Sequence, residues 1–199
     1  QCHEILFTPA GQQARQWLNN RGLNDDTLRR FKIGYNPLER RIGDLFVWQG
    51  ITIPHISLGR LWGVKTRLGE KSLKWLRAKG EEDPPKYKII EGGMAKSVFN
   101  LDSVGQSPIV LVVEGEFDCL LAWQELGDML PTITLGSATN HVDESFMPYL
   151  LGVRQFLVAL DNDDAGRRGA DKWQKFGGNR VKLVKLPSDQ RGFDLTDLW

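Results

Sequence analysis

Cysteine is scarce in this chain of 199 residues, with only Cys2 and Cys119 present. A disulfide framework and a four-ligand zinc ribbon are therefore both excluded within these residues, and no zinc is expected here. The composition fits a reducing compartment. The three histidines, His3, His55 and His141, show no ligand spacing and read as packing or surface residues. No apolar run approaches the roughly 20 residues of a membrane span. No charged-then-apolar leader opens the chain either, so no membrane association is expected. Internal repeats and low-complexity segments are also lacking. The chain opens on Gln1 rather than Met and is expected to be a fragment.

What is present begins with an uneven charge. The formal net charge is +1, yet residues 1 to 107 hold 17 Lys/Arg against 11 Asp/Glu, a net of +6, and residues 108 to 199 hold 9 against 14, a net of −5. A basic half beside an acidic half suits a polyanion held by one and divalent cations held by the other. Two domains are expected on this division, 1–107 and 108–199.

In the first, Ala14, Trp17 and Leu18 give Thr8 to Leu18 a helical spacing that Asn19-Asn20-Arg21-Gly22 ends. Asn24 resembles an N-cap for a helix from Asp25 to Phe31, whose first turn carries Asp25 and Asp26 where the helix dipole favours acids. Residues 45 to 100 turn β-rich, broken by Gly and Pro, and read as a twisted, mostly antiparallel sheet. Arg60, Lys65, Arg67, Lys71, Lys74, Arg77, Lys79, Lys86, Lys88 and Lys96 recur there among Trp62, Trp75 and Tyr87. Cations alternating with aromatics suit single-stranded nucleic acid, whose phosphates meet the charges while its bases stack on the rings.

From Pro108 the pattern is strand (109–113), helix (117–126), strand (132–135), an irregular or helical stretch (143–151), strand (155–160), helix (164–176) and strand (180–186). Such alternation predicts an α/β fold, a parallel sheet flanked by helices and preceded by a smaller basic α+β subdomain. Ligands of such sheets sit beyond the carboxyl ends of the strands. Glu114 follows the run Ile109-Val110-Leu111-Val112-Val113, and Asp161 and Asp163 follow Phe156-Leu157-Val158-Ala159-Leu160. If the second strand stays extended, Asp161 and Asp163 project to one side and need a cation between them. Mg²⁺ or Mn²⁺ is the expected ion, since hard cations are held by one or two carboxylates plus substrate phosphates. The plainer alternative makes Asp163 or Asp164 the cap of the following helix. Arg167 either pairs with Asp164 or Asp171 or grips a nucleotide phosphate. Asp194 and Asp197 add a third acidic position.

Glu114-Gly115-Glu116-Phe117-Asp118 and Asp161-Asn162-Asp163-Asp164-Ala165-Gly166-Arg167 resemble the two signatures of the TOPRIM domain, which primases, topoisomerases and some nucleases share. Leu135-Gly136-Ser137-Ala138-Thr139 and Phe193-Asp194-Leu195-Thr196-Asp197-Leu198 are similar to further motifs of the DnaG-type and phage primases. Trp17-Leu18-Asn19-Asn20-Arg21-Gly22-Leu23, Phe31-Lys32-Ile33-Gly34-Tyr35, Gly63-Val64-Lys65-Thr66-Arg67 and Pro85-Lys86-Tyr87 resemble the opening and basic part of that catalytic core. The family's zinc module and its helicase or helical extension have no counterpart in this sequence.

The resemblance implies a cytoplasmic DNA primase core, of a bacterial or phage-infected cell, that joins ribonucleoside triphosphates on single-stranded DNA with a replicative helicase, fused or separate, as partner. It assigns Glu114, Asp161 and Asp163 to catalysis. Those three with Asp194 and Asp197 would bind metal, and Arg60, Lys65, Arg67, Lys86, Tyr87, Lys88 and Arg167 would bind template or nucleotide. A TOPRIM nuclease and a non-catalytic nucleic-acid-binding module are the alternatives. A topoisomerase fits less well, because none of Tyr35, Tyr87 and Tyr149 has the setting of a strand-attacking tyrosine.

Overall fold

A computed structural model of the chain describes residues 1–93, 96–188 and 195. The helices are α1 (Cys2–Leu6), α2 (Gln12–Asn19), α3 (Asp25–Arg30), α4 (Glu70–Ala78), α5 (Glu116–Leu126), α6 (Met147–Leu150) and α7 (Asp164–Gly177). The strands are β1 (Gly34–Asn36), β2 (Arg40–Ile42), β3 (Leu45–Val47), β4 (Gly50–Ser57), β5 (Arg60–Leu68), β6 (Tyr87–Ile89), β7 (Ile109–Val113), β8 (Thr132–Thr134), β9 (Gln155–Ala159) and β10 (Val181–Leu183). The chain divides into two compact units, 1–55 with 61–95, and 56–60 with 96–199.

The first unit carries a sheet in the order β1-β4-β5-β6 and a separate β2-β3 ribbon. The expected N-cap is present: the Asn24 side chain accepts the Thr27 amide at 2.8 Å, and Asp25 and Asp26 fill the first turn of α3. The expected sheet of residues 45–100 is interrupted by α4. Its buried face holds Ser72 and Leu76, and Ser72 Oγ donates to Glu39 Oε1 at 2.6 Å and meets the Gln49 backbone. Lys71, Lys74 and Arg77, read above as part of a strand track, lie instead on this helix. Their spacing of three was the available sign, since on a strand odd steps change faces while on a helix they share one.

In the second unit the sheet order is β10-β9-β7-β8, with every neighbouring pair parallel. The α/β expectation holds. β7 is central, and its residues Val110 to Val113 are buried, as suits a strand covered on both faces. α5 is buried from Glu116 through Ala122. α7 is anchored on β9 through Phe156, whose ring lies 5.4 Å from Trp173 and 5.9 Å from Phe176.

The two units part at 95/96, not at the expected 107/108. The reason is pairing: Phe99 bridges Thr134, Asn100 Nδ2 donates to Thr132 O at 2.8 Å, and Val98, Phe99, Leu101 and Val104 are buried. Residues 56–60, the β4–β5 turn, also go with the second unit, where Asp102 Oδ1 accepts the Leu58 amide at 2.8 Å.

Cys119 lies wholly buried in α5, its thiol directed at Thr132 O at 3.3 Å. Burial, reinforced by the carboxylates of Glu116 and Asp118, pushes the thiol pKa well above its ordinary value. The folded state therefore holds a proton that the unfolded chain releases above about pH 8.5. This contribution is full below that pH and is lost as pH rises through the native pKa. Urea unfolding from pH 7 to 10 is expected to show a decline in stability that is shallower in Cys119→Ala. Parallel curves for the two proteins would refute it.

Candidate metal and nucleic-acid sites

The acidic edge is built by strand register. Val113 of β7 sits opposite Ala159 of β9 and Thr134 of β8, so all three strands end at one level. Glu114 leaves β7 one residue beyond that level. Its Oε2 accepts the Asp161 amide at 3.3 Å, tying together the two acidic strand ends. On the other side Thr134 Oγ1 donates to Glu114 O at 2.7 Å and accepts the Gly136 amide at 2.9 Å. This threonine, which sequence reasoning passed over, thus joins the Gly136 step to the glutamate. Asp118 does the same for the next turn, its Oδ2 accepting the Gly115 amide at 3.1 Å. An acid at the third helical position, facing a glycine cap, was the signal for it.

Asp161 and Asp163 do not continue an extended strand. β9 ends at Ala159, and the Asp163 amide donates to Asp161 O at 2.8 Å, closing a tight turn. Asp163 instead caps α7, its Oδ1 accepting the Gly166 amide at 2.8 Å. The helix start is pressed onto this turn, and a Cβ on Gly166 would lie 2.0 Å from Asp161 O. Only a residue without a side chain fits there. The extended arrangement expected of the two aspartates is thus replaced by a turn and a cap, because the Asp163 carboxylate satisfies the orphan Gly166 amide while its backbone carbonyl accepts the Arg167 amide. Accordingly, no group of three or more His, Cys, Asp or Glu side chains converges among the described residues.

The residues present nevertheless suit a divalent cation of the Mg²⁺ kind. Glu114 and Asp161 carry hard oxygen donors and are half-buried residues of neighbouring strand ends, joined through the Asp161 backbone amide and the Glu114 carboxylate. Such ions are commonly held by one or two carboxylates, the rest of the shell coming from water and phosphate oxygens. A cleft of about 140 Å³ is lined by Asp161, Asn162, Arg167 and Lys185 over an apolar floor that includes Leu160, Leu183 and Leu186, and Glu114 does not line it. It is smaller than an ordinary ligand pocket, so the site is an open edge. Arg167 is exposed and pairs with Asp164 one turn back, the plainer of its two expected roles. Asp194 and Asp197 lie outside the described residues.

In the first unit the basic candidates divide between two faces. Arg67 is opposite Tyr87 and donates to its hydroxyl at 3.1 Å; its guanidinium also lies 4.6 Å from the Trp17 ring centre. Lys65 Nζ sits 4.5 Å from the Tyr87 ring. These three form one cation–aromatic cluster. Lys88 is opposite Thr66, hence on the other face, and lies 5.8 Å from Trp48. Lys86 is exposed just before β6. Arg60 opens β5 within the segment that goes with the second unit, apart from the cluster.

Comparison with known proteins agrees with this architecture. Residues 111–197 match the family described as Toprim-like. The DNA primase of Chlamydia muridarum (strain MoPn / Nigg) is 26% identical over 94% of the chain, which spans 35% of that protein's length. A DNA primase domain from Pseudomonas aeruginosa superposes with a TM-score of 0.70 at 21% identity, covering 98% of this chain and 70% of that one. The primase fragment of the bacteriophage T7 primase-helicase protein gives 0.65 at 16% identity, covering 89% and 65%. Residues 111–197 are therefore similar to the Toprim-like family, and the chain as a whole has the fold seen in the DnaG catalytic core.

Proposed function

We propose that the chain is the catalytic core of a DNA primase, making short RNA primers on a single-stranded DNA template by metal-dependent nucleotidyl transfer. The observation that carries this is the shared register of β7 and β9, which sets Glu114 and Asp161 side by side at the edge where a Toprim-like sheet presents its acids. The similarity to DNA primases over 94% of the chain supports the choice of reaction.

Glu114 and Asp161 would hold Mg²⁺ or Mn²⁺, and Asp163, Asp194 and Asp197, which the resemblance to primases assigns to metal, would add ligands. The bound ion would neutralise the triphosphate and stabilise the entering and leaving oxygens. In the reaction the primer 3′-hydroxyl attacks the α-phosphorus of the incoming ribonucleotide, a P–O bond forms, and pyrophosphate leaves. The protein's part is position and charge. Glu114 would also assist deprotonation of the hydroxyl, and its Oε2 accepts a hydrogen bond from the Asp161 amide. The α7 N-terminus, capped by Asp163, sets the height of the Asp161 turn. Arg167 and Lys185, lining the adjoining cleft, are suited to phosphate oxygens.

Lys65, Arg67 and Tyr87 would hold the template, with the cations on phosphates and the ring beneath a base. Lys86, Lys88 and Arg60 would add charge. A replicative helicase, fused or separate, would deliver that template in the cytoplasm. Among the described residues, no helix is long and apolar enough to cross a membrane.

With Mg²⁺ or Mn²⁺, ribonucleotides and end-labelled single-stranded DNA, the expected result is new oligoribonucleotides. Asp161→Ala is expected to abolish the synthesis while leaving DNA binding nearly intact. Full synthesis by that variant, or shortening of the label by the wild type, would overturn the assignment. Arg67→Ala is expected to weaken binding of single-stranded DNA roughly tenfold or more, on the scale of one charge-assisted contact. It should also reduce the slope of log K against log salt by about 0.7. An unchanged slope in anisotropy titrations would remove Arg67 from the template contact.

A further inference from the structure

The face of the first unit that carries Lys88, opposite the Arg67–Tyr87 cluster, holds an aromatic ladder that the proposed reaction does not use. Phe46 of β3 meets Trp48 edge-on at 4.7 Å between ring centres, and Trp48 meets Trp75 of α4 at 5.7 Å in the same manner. Three rings therefore stand in one row, drawn from a ribbon, a loop and a helix. Cations border the row along its length. Lys79 lies 5.6 Å from the Trp75 ring, Lys88 lies 5.8 Å from Trp48, and Arg41 is the cross-strand partner of Phe46.

Trp75 is 47% exposed, a large apolar area for a ring whose edge is already held by its neighbour. A core residue would be buried, and a solvated helix face has no need of tryptophan. The edge-on packing fixes each ring before any partner arrives, so little side-chain freedom is lost on binding. A row of fixed rings bordered by cations complements a chain of stackable bases joined by phosphates. Cations near aromatic rings also remain available to phosphate oxygens, because the ring quadrupole attracts them without neutralising them.

We propose that this row is a second contact for single-stranded DNA, in which bases stack on Trp75 and Trp48 while Lys79, Lys88 and Arg41 meet the phosphates. The proposal rests on the priming reading only for the identity of the polymer. Its residues are separate from Lys65, Arg67 and Tyr87, since the β5–β6 register directs Lys88 to the other side of the sheet. Two contacts on opposite faces require the strand to pass round the sheet. Binding should therefore strengthen with oligonucleotide length beyond what one face can cover.

The test is anisotropy titration of the whole chain with fluorescein-labelled oligo-dT of about 20 nucleotides, enough to span more than one single-strand site. Trp75→Ala is expected to weaken binding by about 5- to 150-fold, the range for loss of one stacked base, and Trp75→Phe should restore most of it. Lys79→Gln, a change on an exposed side chain, is expected to lower the salt slope by about 0.7. The double variant Arg67→Ala/Trp75→Ala should show the product of the two single losses, as independent sites do. Unchanged binding and salt slope in Trp75→Ala and Lys79→Gln would overturn the second contact while leaving the Arg67 result to judge the first. Preferential binding of oligo-rU, or displacement of the DNA by polyglutamate acting through Trp75, would overturn the choice of occupant.

Discussion

The acidic edge depends on β7 being paired on both sides in a register that ends all its neighbours together. Val113 faces Ala159 and Thr134, so the next residue of the central strand emerges between two other strand ends. A slip of one residue would turn Glu114 to the opposite face of the sheet, because side-chain direction has a period of two. Pairing with β8 on one side and β9 on the other holds the register, since a slip would have to break both ladders at once. Pairing of the hydrophobic strand thereby determines the place of a charged group, and the Glu114–Asp161 bond follows from it.

The first unit works by alternation instead. A strand with one face of cations and rings and the other of buried side chains would be the simple design. Here both faces of the β5–β6 pair carry a cation near an aromatic ring, Lys65 over Tyr87 on one and Lys88 beside Trp48 on the other. What separates them is the buried Thr66 opposite Lys88 and the insertion of α4 after β5, which brings Trp75 to the second face. A helix placed there converts half of an apparently continuous basic track into a surface of its own.

Much of this was legible in the residues, and the illegible parts have identifiable causes. The runs ending at Val113 and at Leu160 stood out because a strand covered on both faces must be apolar throughout, and their shortness, the β-branched residues of the first and the turn residues that follow each separate them from a buried helix. Asn24 was legible as a cap because its side chain acts within its own turn. The division at 95/96 was not, since Phe99 earns its place only by pairing with Thr134, some thirty-five residues on in the chain, and nothing local signals it. α4 was hidden by its surroundings: β-rich neighbours set the expectation, and the threefold spacing of its cations was read as part of a strand. Glu114 and Asp161 were placed correctly at one edge, but the conformation of Asp161 to Asp163 was decided by the helix that follows them.

Asp163 cannot be a purely electrostatic partner of Asp161, because its Oδ1 closes the first turn of α7 and its own amide is bound to Asp161 O. The two aspartates are joined through the backbone, so moving one displaces the other. Gly166 tightens the linkage further, since the helix backbone approaches the Asp161 carbonyl where a Cβ would not fit. Cap, turn and carboxylate form a single mechanical unit. Glu114 is the member of the acidic edge supplied from outside it, by the neighbouring strand. The height of Asp161 is therefore set by the seating of α7 on β9 through Phe156, Trp173 and Phe176, so the packing of three aromatic rings behind the sheet fixes the position of an acid at its edge.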